Sequence, residues 1–177
     1  MTATKDTIEQ PQFTDCQPKP VRALNISGKT LAVEENHISL IREITPQKRS
    51  QYLKDSHVPL KDFGKFMQSL STEFSGKLSE IKDSKLRKLI LPVMVPAGMA
   101  LSTIPDENSS AVVIISNGQW HGALCCSTVA DRPLNMIKFK KAKNGDIAGI
   151  VFLKSGEEVP LLNAVSLLAR EGFLAVT

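Results

Sequence analysis

In the second half of the chain, apolar residues fall into short runs rich in β-branched side chains, with turn residues between them. Ala111-Val112-Val113-Ile114-Ile115 is continuous, the pattern of a strand buried on both faces. Asn117-Gly118 follows, a pair suited to a tight hairpin because both residues tolerate φ > 0. Residues 119–126 then read as the returning strand. Met136 to Lys141 alternates apolar and basic, a second Asn-Gly stands at 144–145, and Ile147–Leu153 returns. The pattern predicts an antiparallel meander of about four strands with one basic face.

Upstream, residues 21–26 and 30–34 predict a hairpin around Ser27-Gly28-Lys29, and residues 38–44 a strand ending at Thr45-Pro46. Residues 46–57 read as a basic connection. The period then changes. Leu60, Phe63, Phe66, Met67, Leu70 and Phe74 recur at intervals of three and four, which predicts a helix beginning near Pro59. Leu78, Ile81, Leu86, Leu89 and Ile90 predict a shorter second helix over 77–90. Leu89 to Pro96 carries two prolines and predicts an edge strand or connector, not a central strand. Residues 97–103 predict another short strand and 104–110 a polar loop. Pro160 opens a last helix, with Leu161, Leu162, Val165, Leu168 and Ala169 on one face and Gly172 as its stop. Residues 173–176 are expected to dock as a terminal strand. Residues 1–20 are polar and hold Pro11, Pro18 and Pro20, so they predict a flexible N-terminal arm. The expected organisation is that arm and a single α+β domain over 21–177: an antiparallel β-sheet with two or three helices packed on one side.

Composition narrows the function. The chain has 177 residues, 42% hydrophobic and 23% charged, the balance of a folded domain. Aromatics are only 5%, so a long array of base-stacking platforms is not expected. A formal charge of +4 permits a polyanionic partner without demanding one. Three cysteines, two of them adjacent, do not make a disulfide framework, and a reducing compartment is expected. The first residues show no apolar core of a secretory signal, and Thr2 excludes myristoylation. Residues 89–101 are too short and too proline-broken to span a bilayer, so membrane contact is expected to be peripheral.

No catalytic signature emerges. Gly28-Lys29-Thr30 resembles the end of a phosphate-binding loop, but Ala23 stands where the earlier glycine is needed. His121, Cys125 and Cys126 lack the spacing of a zinc site. On one strand His121 and Cys125 lie roughly 13 Å apart, too far for a thiolate–imidazole pair. His37 could serve Cys125 or Cys126 only if the fold brought them together. Asp131, Asp146, Glu157 and Glu158 read as turn residues. The expectation is a protein that is not an enzyme and uses no cofactor or metal.

Basic residues are the remaining signal. Lys48, Arg49, Lys54, Lys61 and Lys65 form one cluster. Lys77, Lys82, Lys85, Arg87 and Lys88 form a second. Lys138, Lys140, Lys141 and Lys143 form the densest, and strand geometry puts Lys138 and Lys140 on one face with Ile137 and Phe139 toward the core. Together the second and third clusters are candidates for RNA phosphate or anionic headgroups. Val93, Met94, Val95 and Met99 are candidates for shallow membrane insertion beside them.

A polar arm, one compact basic domain, scattered lysines and no enzyme motif resemble the small matrix proteins of plant rhabdoviruses, cytorhabdoviruses in particular. The resemblance implies a structural protein of the virion and host cytoplasm that self-associates into homo-oligomers. It further implies condensation of the viral nucleocapsid RNA and peripheral association with the anionic inner membrane face. The Pro-Pro-x-Tyr budding motif of some animal relatives is absent; the sole tyrosine is Tyr52. A second resemblance lies in residues 156–176, which are similar to the strand–helix–strand tail of staphylococcal-nuclease-like OB domains. It implies a monomeric nucleic-acid-binding module without the nucleases' catalytic residues.

Overall fold

The computed structural model describes residues 13–63, 89–96, 110–118, 120–172 and 175–176. Five strands close into a small barrel: β1 (Thr14–Ile26), β2 (Lys29–Glu34), β9 (Leu134–Asn144), β10 (Ile147–Leu153) and β11 (Glu158–Leu162). β1 pairs antiparallel with β2 on one edge and β9 on the other. β9, β10 and β11 form a meander, and β11 meets β2 in parallel where Leu161 lies opposite Ala32. A two-residue strand, β8 (Thr128–Val129), extends the edge of β1 beyond β9. The period of two sends Val21, Ala32, Met136, Val151, Leu153, Val159 and Leu161 into the barrel.

The alternate residues Leu24, Ile26, Leu31 and Val33 point out of the barrel and are buried too. They meet a second sheet of β3 (Ile38–Ile44), β6 (Ser110–Asn117) and β7 (Trp120–Cys126). Val113, Ile115, Leu124 and Cys126 face the barrel side. Val112, Ile114, Ala123 and Cys125 face the other way, against Tyr52, Val58, Phe63 and Leu91. Each large apolar side chain fully buried in this way contributes roughly 1.5–3 kcal/mol, so the β6–β7 pair, buried on both faces, is the centre of the molecule. Beyond it lies a third sheet, in which β5 (Leu89–Pro92) runs between β4 (His57–Pro59) and β12 (Ala175–Val176). Helix α1 (Pro46–Asp55) packs on this far side. Helix α2 (Ala164–Glu171) packs Leu167 and Leu168 between barrel and second sheet.

The α+β expectation is therefore corrected: the protein is β-rich, with several sheets and two short α-helices among the described residues. The two hairpins read as one meander belong to different sheets, because residues 127–133 carry the chain from the second sheet to the barrel. Thr14 to Pro20, read as part of a flexible arm, is the first half of β1 and pairs with β9. The helix expected from Pro160 starts at Ala164. Val159 and Leu161 alternate into the barrel as β11, and the Asn163 side chain caps the helix by accepting from the Ser166 N–H at 3.0 Å. Residues 46–55, read as a connection, are helical, capped by Thr45, which accepts from the Lys48 N–H at 3.1 Å. Pro59 lies in a strand, and residues 60–63 make a 3-10 turn. The rest of the helix expected from Pro59, most of the helix expected over 77–90 and the strand expected at 97–103 lie outside the described residues. Of that second helix, Leu89 and Ile90 belong to β5. β5 is central in its sheet, not an edge, which is tolerable because Pro92 is its last residue. The terminal strand is present as β12.

The turns are shifted by one residue from the expected Asn-Gly pairs. Asn117 pairs with Trp120 and Asn144 with Ile147, so the two-residue loops open with Gly118 and Gly145, at φ 62° and 60°. A loop whose first central residue alone needs φ > 0 suits glycine there, as at Gly145-Asp146. The pair with φ > 0 at both positions is Ser27-Gly28.

Candidate nucleic-acid interface

β9 is paired on both edges and bends at two register shifts, one between the partners Phe152 and Leu153, the other between Ile147 and Gly149. The first turns Met136, not Ile137, into the core and leaves Ile137 half-buried. Phe139 does point inward, against the buried cluster of the barrel. Its ring and the Lys140 carbonyl occupy the space a side chain at Gly149 would need, so glycine there is a packing requirement.

Lys138 and Lys140 lie directly opposite Phe152 and Ile150 on β10, which puts all four on the outer barrel face. Phe13, immediately before β1, reaches the same face. Its ring meets that of Phe152 edge to face, with centroids 6.1 Å apart and planes at 69°. The Lys138 ammonium stands 6.0 Å from the Phe152 centroid and that of Lys140 5.3 Å from the Phe13 centroid. Lys141 and Lys143 are exposed at the end of the strand. Two carboxylates oppose the lysines. Asp15 lies opposite Lys138 at 4.0 Å and is itself almost wholly exposed; Glu158 lies opposite Phe152 on β11.

The other expected site residues are placed differently. In the first basic cluster, Arg49 is buried and donates to Ser127 Oγ at 3.3 Å, while Lys48 lies 3.5 Å from Asp62 and over the Tyr52 ring. Both are on α1, with the β3–β6–β7 sheet between them and the barrel, so they do not join the β9 lysines. Lys77, Lys82, Lys85, Arg87, Lys88 and Met99 lie outside the described residues. Of the residues expected to insert into a membrane, Met94 is buried in the core, and Val93 and Val95 are half-buried. Met94 is 1% exposed, its N–H donates to the Ala123 carbonyl at 2.8 Å, and its side chain fills the space above Gly122. Val93 is half-buried and bridged to Ala123, and the Val95 N–H donates to Glu171 at 3.1 Å. No helix among the described residues is long and apolar enough to cross a membrane.

A second polar group lies at the edge of the second sheet and ends on a buried imidazole. Ser39 donates to Ser116 Oγ at 2.6 Å, and Ser116 is 2.6 Å from His121 Nδ1. Burial pushes the His121 imidazole down to about 4, so it is neutral at pH 7. Burial pushes the Cys125 thiol up to about 12 and Cys126 further in the same direction, the reverse of an activated nucleophile. No group of three metal-ligating side chains exists among the described residues. Asp146, read as a simple turn residue, is 1% exposed and accepts two 2.7 Å hydrogen bonds from Arg170, tying the β9–β10 turn to α2.

The lysines of the β9 face are visible in the sequence as a basic run. Phe13, Asp15, Ile150 and Phe152 are not identifiable with them there, because only strand pairing brings these residues beside it. Searches against protein-family models and against curated proteins return no match.

Proposed function

We propose that this is a structural, non-enzymatic matrix protein of a virion, which self-associates and holds the nucleocapsid RNA through the basic face of its barrel. The observation that carries this reading is the run Lys138, Lys140, Lys141 and Lys143 on one barrel strand, four cations opposed by Asp15 and Glu158. Neutralisation of phosphates by clustered lysines supplies most of the sequence-independent affinity of a protein for nucleic acid. Contact with the anionic inner leaflet is peripheral and rests on charge, since Met94 belongs to the core.

Sedimentation of the protein over a range of concentrations, with and without RNA, tests the reading. Flotation on neutral and on anionic vesicles at low and high salt tests the membrane contact. Concentration-dependent assembly, RNA binding and salt-reversible flotation on anionic vesicles alone are expected. A protein that stays monomeric and binds neither polyanion at low salt overturns the proposal.

One observation favours a second reading, a monomeric OB-like nucleic-acid-binding module: a closed five-stranded barrel followed directly by a helix. Barrels of that kind bind oligonucleotides on a face of adjacent strands. A monomer at all concentrations with tight RNA binding and no vesicle affinity selects it over the matrix role.

A further inference from the structure

The outer face of β9 and β10 is more than a charged strip, and we infer that it is a stacking site for single-stranded RNA: bases rest on Phe13 and Phe152 while Lys138 and Lys140 take the adjoining phosphates. This rests on the proposed basic face and names the form of nucleic acid that face selects.

Aromatic residues are scarce in this chain, yet two of them meet on the outer surface of its most basic strand. Neither ring is fully buried. A phenylalanine placed outside a barrel gains little by burial there, and the barrel interior is already filled without them. Each ring has its own lysine at 5.3–6.0 Å, a spacing comparable to that between a base and its phosphate within one nucleotide. Those ammonium groups already sit over the rings. A base arriving on a ring replaces a solvated cation and frees that lysine for the phosphate beside it. Ile150, opposite Lys140, extends the apolar floor. Stacking needs unpaired bases, because in a duplex both faces of each base are covered by its neighbours. The complementarity is therefore to single strands, with little dependence on base identity. Asp15 and Glu158 flank the face and weaken it for any phosphate.

Fluorescence anisotropy with a labelled oligouridylate and with an RNA duplex of the same length, at low salt, tests the inference. The variants are Phe152→Leu, Phe13→Leu, Asp15→Asn and the pair Lys138→Gln with Lys140→Gln, each first checked for native circular dichroism. Tighter binding of the single strand is expected, with about a tenfold loss in Phe152→Leu. That loss is confined to the single strand. Asp15→Asn is expected to bind both forms more tightly. If single strand and duplex bind equally and Phe152→Leu changes neither, while the lysine pair weakens both, the polyanion face survives and stacking is refuted. If neither RNA binds, the inference falls together with the RNA-holding part of the proposal. If anionic vesicles bind but the oligouridylate does not, the occupant is a membrane surface and the inference is overturned.

Discussion

His121 makes stability fall on acidification by an amount that can be worked out in advance. The imidazole is fully buried in β7, and burial holds it near 4 instead of its ordinary 6.5. In the unfolded chain it takes a proton below about pH 6.5; in the folded protein it stays neutral until about pH 4. Between those values the unfolded state binds more protons, so stability is complete above pH 6.5 and drops as pH falls. The slope is about 1.4 kcal/mol per pH unit for one group, which gives roughly 2 kcal/mol lost at pH 5 and about 3 kcal/mol at pH 4. Against a typical total of about 5–15 kcal/mol, that is a large fraction. Urea denaturation at a series of pH values measures it. The protein's single tryptophan, Trp120, adjoins His121 and reports unfolding alongside circular dichroism. Carboxylates also titrate in this range, so the comparison is with His121→Asn, which can still accept from Ser116 but does not titrate. The variant is expected to lose the imidazole's slope between pH 6.5 and 4 and to keep only the loss that carboxylates cause. If wild type and variant lose stability in parallel, the imidazole is not the group responsible and the burial argument fails.

Three further outcomes are expected. Gly149→Ala drives a methyl group into the Phe139 ring and the Lys140 carbonyl, and is expected to destabilise the protein by about 1–3 kcal/mol in the same urea assay; an unchanged midpoint counts against that contact. With a chromogenic disulfide reagent at pH 8, Cys16 is expected to react in the native state, while Cys125 and Cys126 react only after denaturant is added; three fast thiols refute their placement. If all four β9 lysines neutralise phosphates, log affinity for single-stranded RNA falls with log salt at a slope of about −3, and each Lys→Gln change reduces its magnitude by about 0.7; a slope near zero excludes a phosphate contact by this strand.

Strong local patterns survive the passage from sequence to structure, and long-range pairing does not. Val112 to Ile115 reads as doubly buried because both of its faces are apolar, and both faces are covered. The Asn-Gly turns are legible because so few residues adopt positive φ, yet strand pairing decides which residue opens each loop. Thr14 to Pro20 does not read as strand because all its residues but Cys16 are exposed and most are polar or proline; its place is fixed by β9, more than a hundred residues on. Leu161 and Leu162 fit a helical face and an alternating strand equally well over so short a run, and the barrel interior decides between them. At the candidate site the lysines are legible as composition, while Phe13 and Phe152 need the fold to bring opposite ends of the chain together.

The barrel's closure constrains the order in which the protein can be made. β1 and β2 leave the ribosome well before their partners β9, β10 and β11, which are encoded far later in the chain. At about 5–20 residues per second, on the order of ten seconds pass between completion of β2 and of β11. Throughout that interval the first hairpin carries Leu24, Ile26, Leu31 and Val33 on one side, Val21 and Ala32 on the other, and unpaired strand edges along its length. Nascent chains on neighbouring ribosomes offer each other the same edges. Rapid synthesis therefore favours correct closure, whereas stalling after β2 favours aggregation, and a holdase chaperone is most useful during early synthesis.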